Sequence, residues 1–146
     1  SELKKKKIQR ILEMLPSLDV LQLRHPEIYD LSWLCIRCNI MHEDFNHIWT
    51  CASVYQDMLN IINLLKFYLK EITQVDNFTP LLDHLFVWPP PLFSSFSFVD
   101  IIKGVVPSEL YSFINSQFTS NESTMAAVSD VMHFVFTHTQ KIWTDR

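Results

Sequence analysis

The sequence predicts an all-α protein: a helical domain in which a Cys-Cys-His-Cys zinc knuckle heads a long central helix. Three observations lead there. Apolar residues recur at intervals of three and four along most of the chain, and no stretch sustains the period of two that marks a strand. All three cysteines lie between Cys35 and Cys51 with a histidine among them. The 146 residues, 48% of them hydrophobic, suit one core of ordinary size, so we expect a single domain over 1–146. Within it we expect a zinc-knuckle half (1–86), a proline- and aromatic-rich strap (87–98) and a group of C-terminal helices (99–146).

The elements follow in order. Leu3, Ile8, Ile11, Leu12 and Leu15 mark the buried face of a first helix that Pro16 ends. Ser17-Leu18-Asp19 starts a short helix through Leu23, before Pro26. After the cysteines, Cys51, Val54, Met58, Ile61, Leu65, Tyr68 and Ile72 step by three and four. That pattern predicts a helix of about seven turns with one buried stripe, Cys51 in its first turn. Thr79-Pro80 caps a short helix reaching Leu85 or Phe86. In WPPPLFSSFSF the prolines remove backbone donors and favour an extended path, while Trp88, Leu92, Phe93, Phe96 and Phe98 call for burial along the core. Val99 to Val106 reads as a helix stopping near Gly104, and Pro107-Ser108-Glu109 opens another through Phe118. The last helix starts near Asn121 and carries Met125, Val128, Met132, Val135, Thr139 and Ile142 as its stripe.

Several functions are disfavoured by composition. The only glycine is Gly104, whereas phosphate-cradling loops and dinucleotide fingerprints need several. No apolar run approaches the roughly 18 residues that span a bilayer, and SELKKKKIQRILEML lacks the apolar core of a signal peptide. An odd, clustered set of thiols suits a metal site in a reducing compartment better than a disulfide framework. A soluble intracellular protein without membrane contact is expected. A start without methionine and a stop at KIWTDR, directly after a helical pattern, suggest a piece of a longer polypeptide. The net charge of −4 argues against a surface that attracts phosphate everywhere, so any nucleic-acid contact must be local. Lys4, Lys5, Lys6 and Lys7 with Arg10 form the one candidate patch, readable as a nuclear-localisation signal, a phosphate-touching arm or, more plainly, a solvated helix start.

Cys35-x2-Cys38-x8-His47-x3-Cys51 has the donor types and spacing of a tetrahedral zinc site. Two cysteines three apart can present both sulfurs to one ion while backbone N–H groups point at the thiolates. His47 and Cys51, four apart, project from the same helical face. His42 is the spare histidine: it could replace His47 as fourth ligand, but it would sit in the loop rather than on the helical face. Four such ligands close the shell, so the expected cofactor is one structural Zn2+ ion with no position left for water or substrate. Sites of this kind contribute on the order of 10 to 16 kcal/mol in small peptides, so metal removal should loosen roughly the first 70 residues.

No catalytic pattern competes, and the chain is not expected to be an enzyme. Zinc deaminases carry H-x-E before a C-x-x-C pair, the reverse of the order here. Glu43 and Asp44 with Asp30 offer the carboxylates of a magnesium site, but acids favoured at a helix N-terminus are the simpler account. His133 and His138 are five apart and face different ways. Phe45, Trp33 and Trp49 suit a small core around the knuckle better than a base-stacking platform.

CIRCNIMHEDFNHIWTC resembles the zinc-binding segment near the C-terminus of LINE-like retroelement reverse-transcriptase polyproteins. There a C-x-x-C pair is followed by an acidic residue, then a histidine before an apolar pair, then a cysteine; Cys35, Cys38, Glu43, His47, Ile48-Trp49 and Cys51 occupy those places. FVDIIKGVVPSEL and KIWTDR are similar to C-terminal regions of fungal retroelement-type reading frames. The family usually has proline where this chain has Ile36, and its final gap is often one residue longer. No polymerase or ribonuclease H region is recognisable. The resemblance implies a noncatalytic, retroelement-derived accessory domain with contact to template RNA or DNA. Two functions result: a zinc-binding helical interaction module for a protein partner, or a nucleic-acid-binding accessory domain with Lys4, Lys5, Lys6, Lys7, Arg10, Arg24 and Arg37 as a basic rim around the knuckle. Oligomeric state is not readable from the sequence.

Overall fold

A computed structural model describes residues 1–92 and 96–146. Eight α-helices form among them: α1 (Glu2–Ile11), α2 (Leu18–Arg24), α3 (Phe45–Thr50), α4 (Tyr55–Thr73), α5 (Pro80–Leu85), α6 (Phe98–Lys103), α7 (Ser108–Asn115) and α8 (Asn121–Thr144). A 3₁₀ turn (Ala52–Val54) joins α3 to α4, and no strand forms among the described residues. The all-α expectation holds. No helix among the described residues is long and apolar enough to cross a membrane.

The long helices α4 and α8 pack along each other, and α8 also supports α3, α6 and α7. On α4 the buried stripe is Met58, Ile61, Ile62, Leu65, Leu69 and Thr73, spaced as one face of a helix requires. Tyr68, at its margin, stacks on Phe134 of α8 with ring centroids 5.8 Å apart. The stripe of α8 comprises Thr124, Ala127, Val128, Val131, Val135, Thr139 and Ile142. The expected Met125 is exposed, one position out of phase with it. Local chemistry sets the ends. Ser97 and Asp100 form a reciprocal capping box at the start of α6, and Gly104, at φ 103°, closes it in a left-handed conformation. Thr79 caps α5 with Pro80 at its first position.

Three sequence expectations are corrected. The first concerns α1. Leu15 is buried, but Leu3, Ile8, Ile11 and Leu12 are exposed, and the side chain taken into the core is Arg10, 1% exposed. Its guanidinium lies over the rings of Phe136, 4.2 Å from the centroid, and Trp49, 5.1 Å. It donates to Ile102 O at 3.3 Å, Thr139 Oγ1 at 2.6 Å, Phe136 O at 3.2 Å and Gln140 Oε1 at 3.0 Å. A planar fork with aromatic faces and neutral acceptors can be buried where an ammonium could not. Burial pulls its pKa down to about 10, which leaves it charged at neutral pH.

Second, the long helix does not begin at Cys51. Cys51 is extended at ψ 134°, which ends α3 and precedes the 3₁₀ turn, so the apolar rhythm continues through a break in the helix. Third, among the described residues of the strap only Trp88 and Phe98 are buried. Trp88 is edge-on to Phe98 at 6.1 Å, and Phe86 approaches Phe98 at 6.4 Å, so the space between α5 and α6 is filled. Leu92 is 86% exposed, and Phe96 is also exposed. Phe93 lies outside the described residues.

Candidate metal centre

The knuckle is built from two pieces of chain, each fastened by hydrogen bonds. Gln22 of α2 donates to Asp30 O at 2.7 Å and Trp33 O at 3.1 Å, fixing the approach to the cysteines. Asp30 accepts from the Ser32 amide at 2.8 Å and hydroxyl at 2.7 Å, bonds that lower its pKa. It therefore serves a local turn. Cys35 N–H donates to Met41 O at 2.8 Å and Asn39 N–H to Cys35 O at 2.7 Å, closing a tight loop. Asn39 sits at φ 53°, a left-handed conformation in which asparagine is better tolerated than most residues.

That loop aims amides at the sulfurs. Burial raises the Cys35 pKa, opposed by N–H groups of Cys38 and Arg37 that bond its sulfur. On Cys38 the amides of Met41 and Ile40 dominate, with help from His47 and Cys51, and its pKa falls to about 6. A thiol held mostly as thiolate at neutral pH is ready to bind a cation.

The second piece is α3. Asp44 caps it by accepting from His47 N–H at 2.7 Å, and the Cys51 amide closes it by donating to His47 O at 2.9 Å. His47 is buried with Nε2 3.4 Å from Cys38 Sγ. The Cys51 sulfur is 3.0 Å from the Ser53 hydroxyl. The donor atoms of Cys35, Cys38, His47 and Cys51 all lie within 4.8 Å of one another. Ligands at about 2.3 Å from one ion span edges of about 3.8 Å, so the group is of the size a tetrahedral ion needs. His42 is exposed and outside it. Three thiolates and an imidazole are the donor set that selects a soft or borderline cation over magnesium or calcium.

The surroundings are structural. Phe45 and Trp49 meet edge to face at 5.9 Å in the core behind the cluster, whereas Trp33 is half-exposed, edge-on to Tyr29 at 6.3 Å. Glu43, buried, accepts from Leu18 N–H at 2.8 Å and pairs with Arg146. Neither Asn39's backbone role nor the Glu43–Arg146 pair was anticipated. A left-handed asparagine directly after C-x-x-C has a local signal in a chain short of glycine; a pair joining the knuckle to the far end of the chain has none.

The basic residues do not form one rim. Lys4, Lys5 and Arg24 share a groove beside α1, while Lys7 lies over Phe136, 5.6 Å from its centroid, and Lys6 is half-buried. Arg10 is in the core, and Arg37 donates to the carbonyls of Ile48, at 3.5 Å, and Ile142. Both arginines are spent on internal acceptors and face no phosphate. His133 and His138 are exposed on α8, with the His138 ring stacked on Phe134 at 4.0 Å. Comparison of the chain with protein-family models, with curated proteins and with solved structures finds no match, so the functional reading rests on the Cys₃His cluster and the surface around it.

Proposed function

We propose that the chain is a noncatalytic, retroelement-derived, intracellular interaction module that one structural zinc ion holds together and that binds a protein partner. The zinc reading rests on the four clustered donors, and four ligands leave no position for a substrate. The partner reading is carried by the exposed apolar side chains of the knuckle and its approach. Ile36 and Ile40, at the tip of the cysteine loop, are 79% and 78% exposed, and Leu23, Ile28, Leu31 and Trp33 are exposed in the segment before it. Apolar surface gathered around a metal-braced loop is what a protein interface uses.

Zinc analysis of the purified chain should find one ion, lost in Cys35→Ser, Cys51→Ser and His47→Ala and kept in His42→Ala. A photo-crosslinking residue at Ile36 or Ile40 should then yield protein adducts in cells that the same residue at exposed Asp57 does not. The nucleic-acid reading is favoured by one observation, the shared groove of Lys4, Lys5 and Arg24. Crosslinks from Ile36 and Ile40 to RNA or DNA in place of protein would decide for it.

A further inference from the structure

The inversion of α1 leaves a face that the fold does not use. Arg10 points inward, and at about 100° per residue Ile8 and Leu12 each lie about 160° around the helix from it. They are 47% and 58% exposed. Together with Met14 they floor a groove of about 470 Å³ whose other lining residues are Ser1, Lys4, Lys5, Gln9 and Arg24. Among the described residues no acidic side chain lines it. Of the floor residues Ile8 lies on α1, Leu12 caps its end and Met14 follows in the turn to α2; Lys4 and Lys5 are on α1 and Arg24 is at the end of α2.

We propose that this groove binds an acidic amphipathic helix of a partner protein, leucine-type side chains on the floor and carboxylates against Lys4, Lys5 and Arg24. This rests on the interaction-module reading and names the partner's chemistry. An amphipathic helix reads a groove of this shape through anchors three and four residues apart. Among the described residues none of the three cations is ion-paired, and they select the sign of its flanks. A polyanion would satisfy the cations and leave Ile8, Leu12 and Met14 wet; no aromatic ring lines the groove for a base to stack on. Arg10 holds α1 against α6 and α8 from behind, so the groove needs no ordering before it binds.

The test uses the zinc-loaded full chain and a fluorescein-labelled helical peptide with leucines at i, i+4 and i+7 flanked by glutamates. Anisotropy should show saturable binding that falls about tenfold or more in Lys4→Glu/Lys5→Glu/Arg24→Glu and in Ile8→Ser/Leu12→Ser, but not in the exposed control Lys141→Glu. The lysine-flanked version of the peptide should not bind. Circular dichroism and zinc content check that each variant is folded. The proposal is overturned by no saturable binding, by binding indifferent to both groove variants, by a labelled duplex oligonucleotide that binds in the peptide's place and is lost in the charge-reversed variant, or by wild-type dimerisation that Ile8→Ser/Leu12→Ser abolishes. Protein crosslinks at Ile36 and Ile40 that persist despite such a result would leave the interaction-module reading standing and remove only the groove.

Discussion

Asn39 does for the cysteine loop what glycine does elsewhere. Its left-handed φ of 53° turns the amides of Ile40 and Met41 toward Cys38. Asn39→Gly should therefore leave zinc affinity nearly unchanged, while the β-branched Asn39→Val should cost about 1–3 kcal/mol through strain, measured by competition with a chromogenic chelator. Cys38 makes a second prediction. Its pKa is depressed in the folded chain, so its stabilising contribution is complete above the ordinary thiol range and is lost as pH falls through about 6. Metal-free protein should become easier to denature between about pH 9 and pH 6, and Cys38→Ser should flatten that slope. Zinc retention should fail over the acidic part of the same range as the proton competes for the sulfur.

At the level of elements, periodicity located nearly every helix but not which way each faces. The rhythm of α4 and α8 was readable because apolar residues recur over many turns. In α1 the apolar positions Leu3, Ile8 and Ile11 all stay exposed, so their spacing points to a face that the core does not take. No local signal marks Arg10 for burial, since its acceptors lie on α6 and α8, far along the chain. Arg10→Ala should destabilise by about 2–4 kcal/mol, and Arg10→Met, which keeps the packing between Phe136 and Trp49, by clearly less in urea denaturation. The break at Cys51 was hidden for a related reason: a short 3₁₀ turn preserves the spacing of apolar residues while the chain bends to deliver the sulfur. The cluster itself was legible, because donor type and spacing are local properties. Gly104 gives one more test. A methyl group there would meet Ile11 only at ordinary contact, 3.6 Å, so Gly104→Ala should cost about 1 kcal/mol through its φ of 103° alone.

Across the whole molecule the candidate metal centre is tied to distant parts of the chain. Arg37 leaves the cysteine loop for α8, Glu43 reaches both α2 and Arg146, and Trp49 packs on Arg10. Chelation should therefore raise hydrogen exchange first in the cysteine loop and α3 and next in α1 and α2. The pairing of α4 with α8, built from aliphatic stripes, should stay protected longest. These long-range ties are the portion of the architecture that a reading of neighbours in sequence could not supply.

Arg146 carries one practical implication. Its guanidinium rests on the indole of Trp143, 4.1 Å from the ring centroid, while the same group grips Glu43 beside the knuckle. Loosening the cysteine loop would unseat that cap, and the Trp143 share of the emission of the four tryptophans would change. Metal release should thus be readable optically without a dye, and the difference between wild type and Trp143→Phe should isolate this indole's share from those of Trp33 and Trp49.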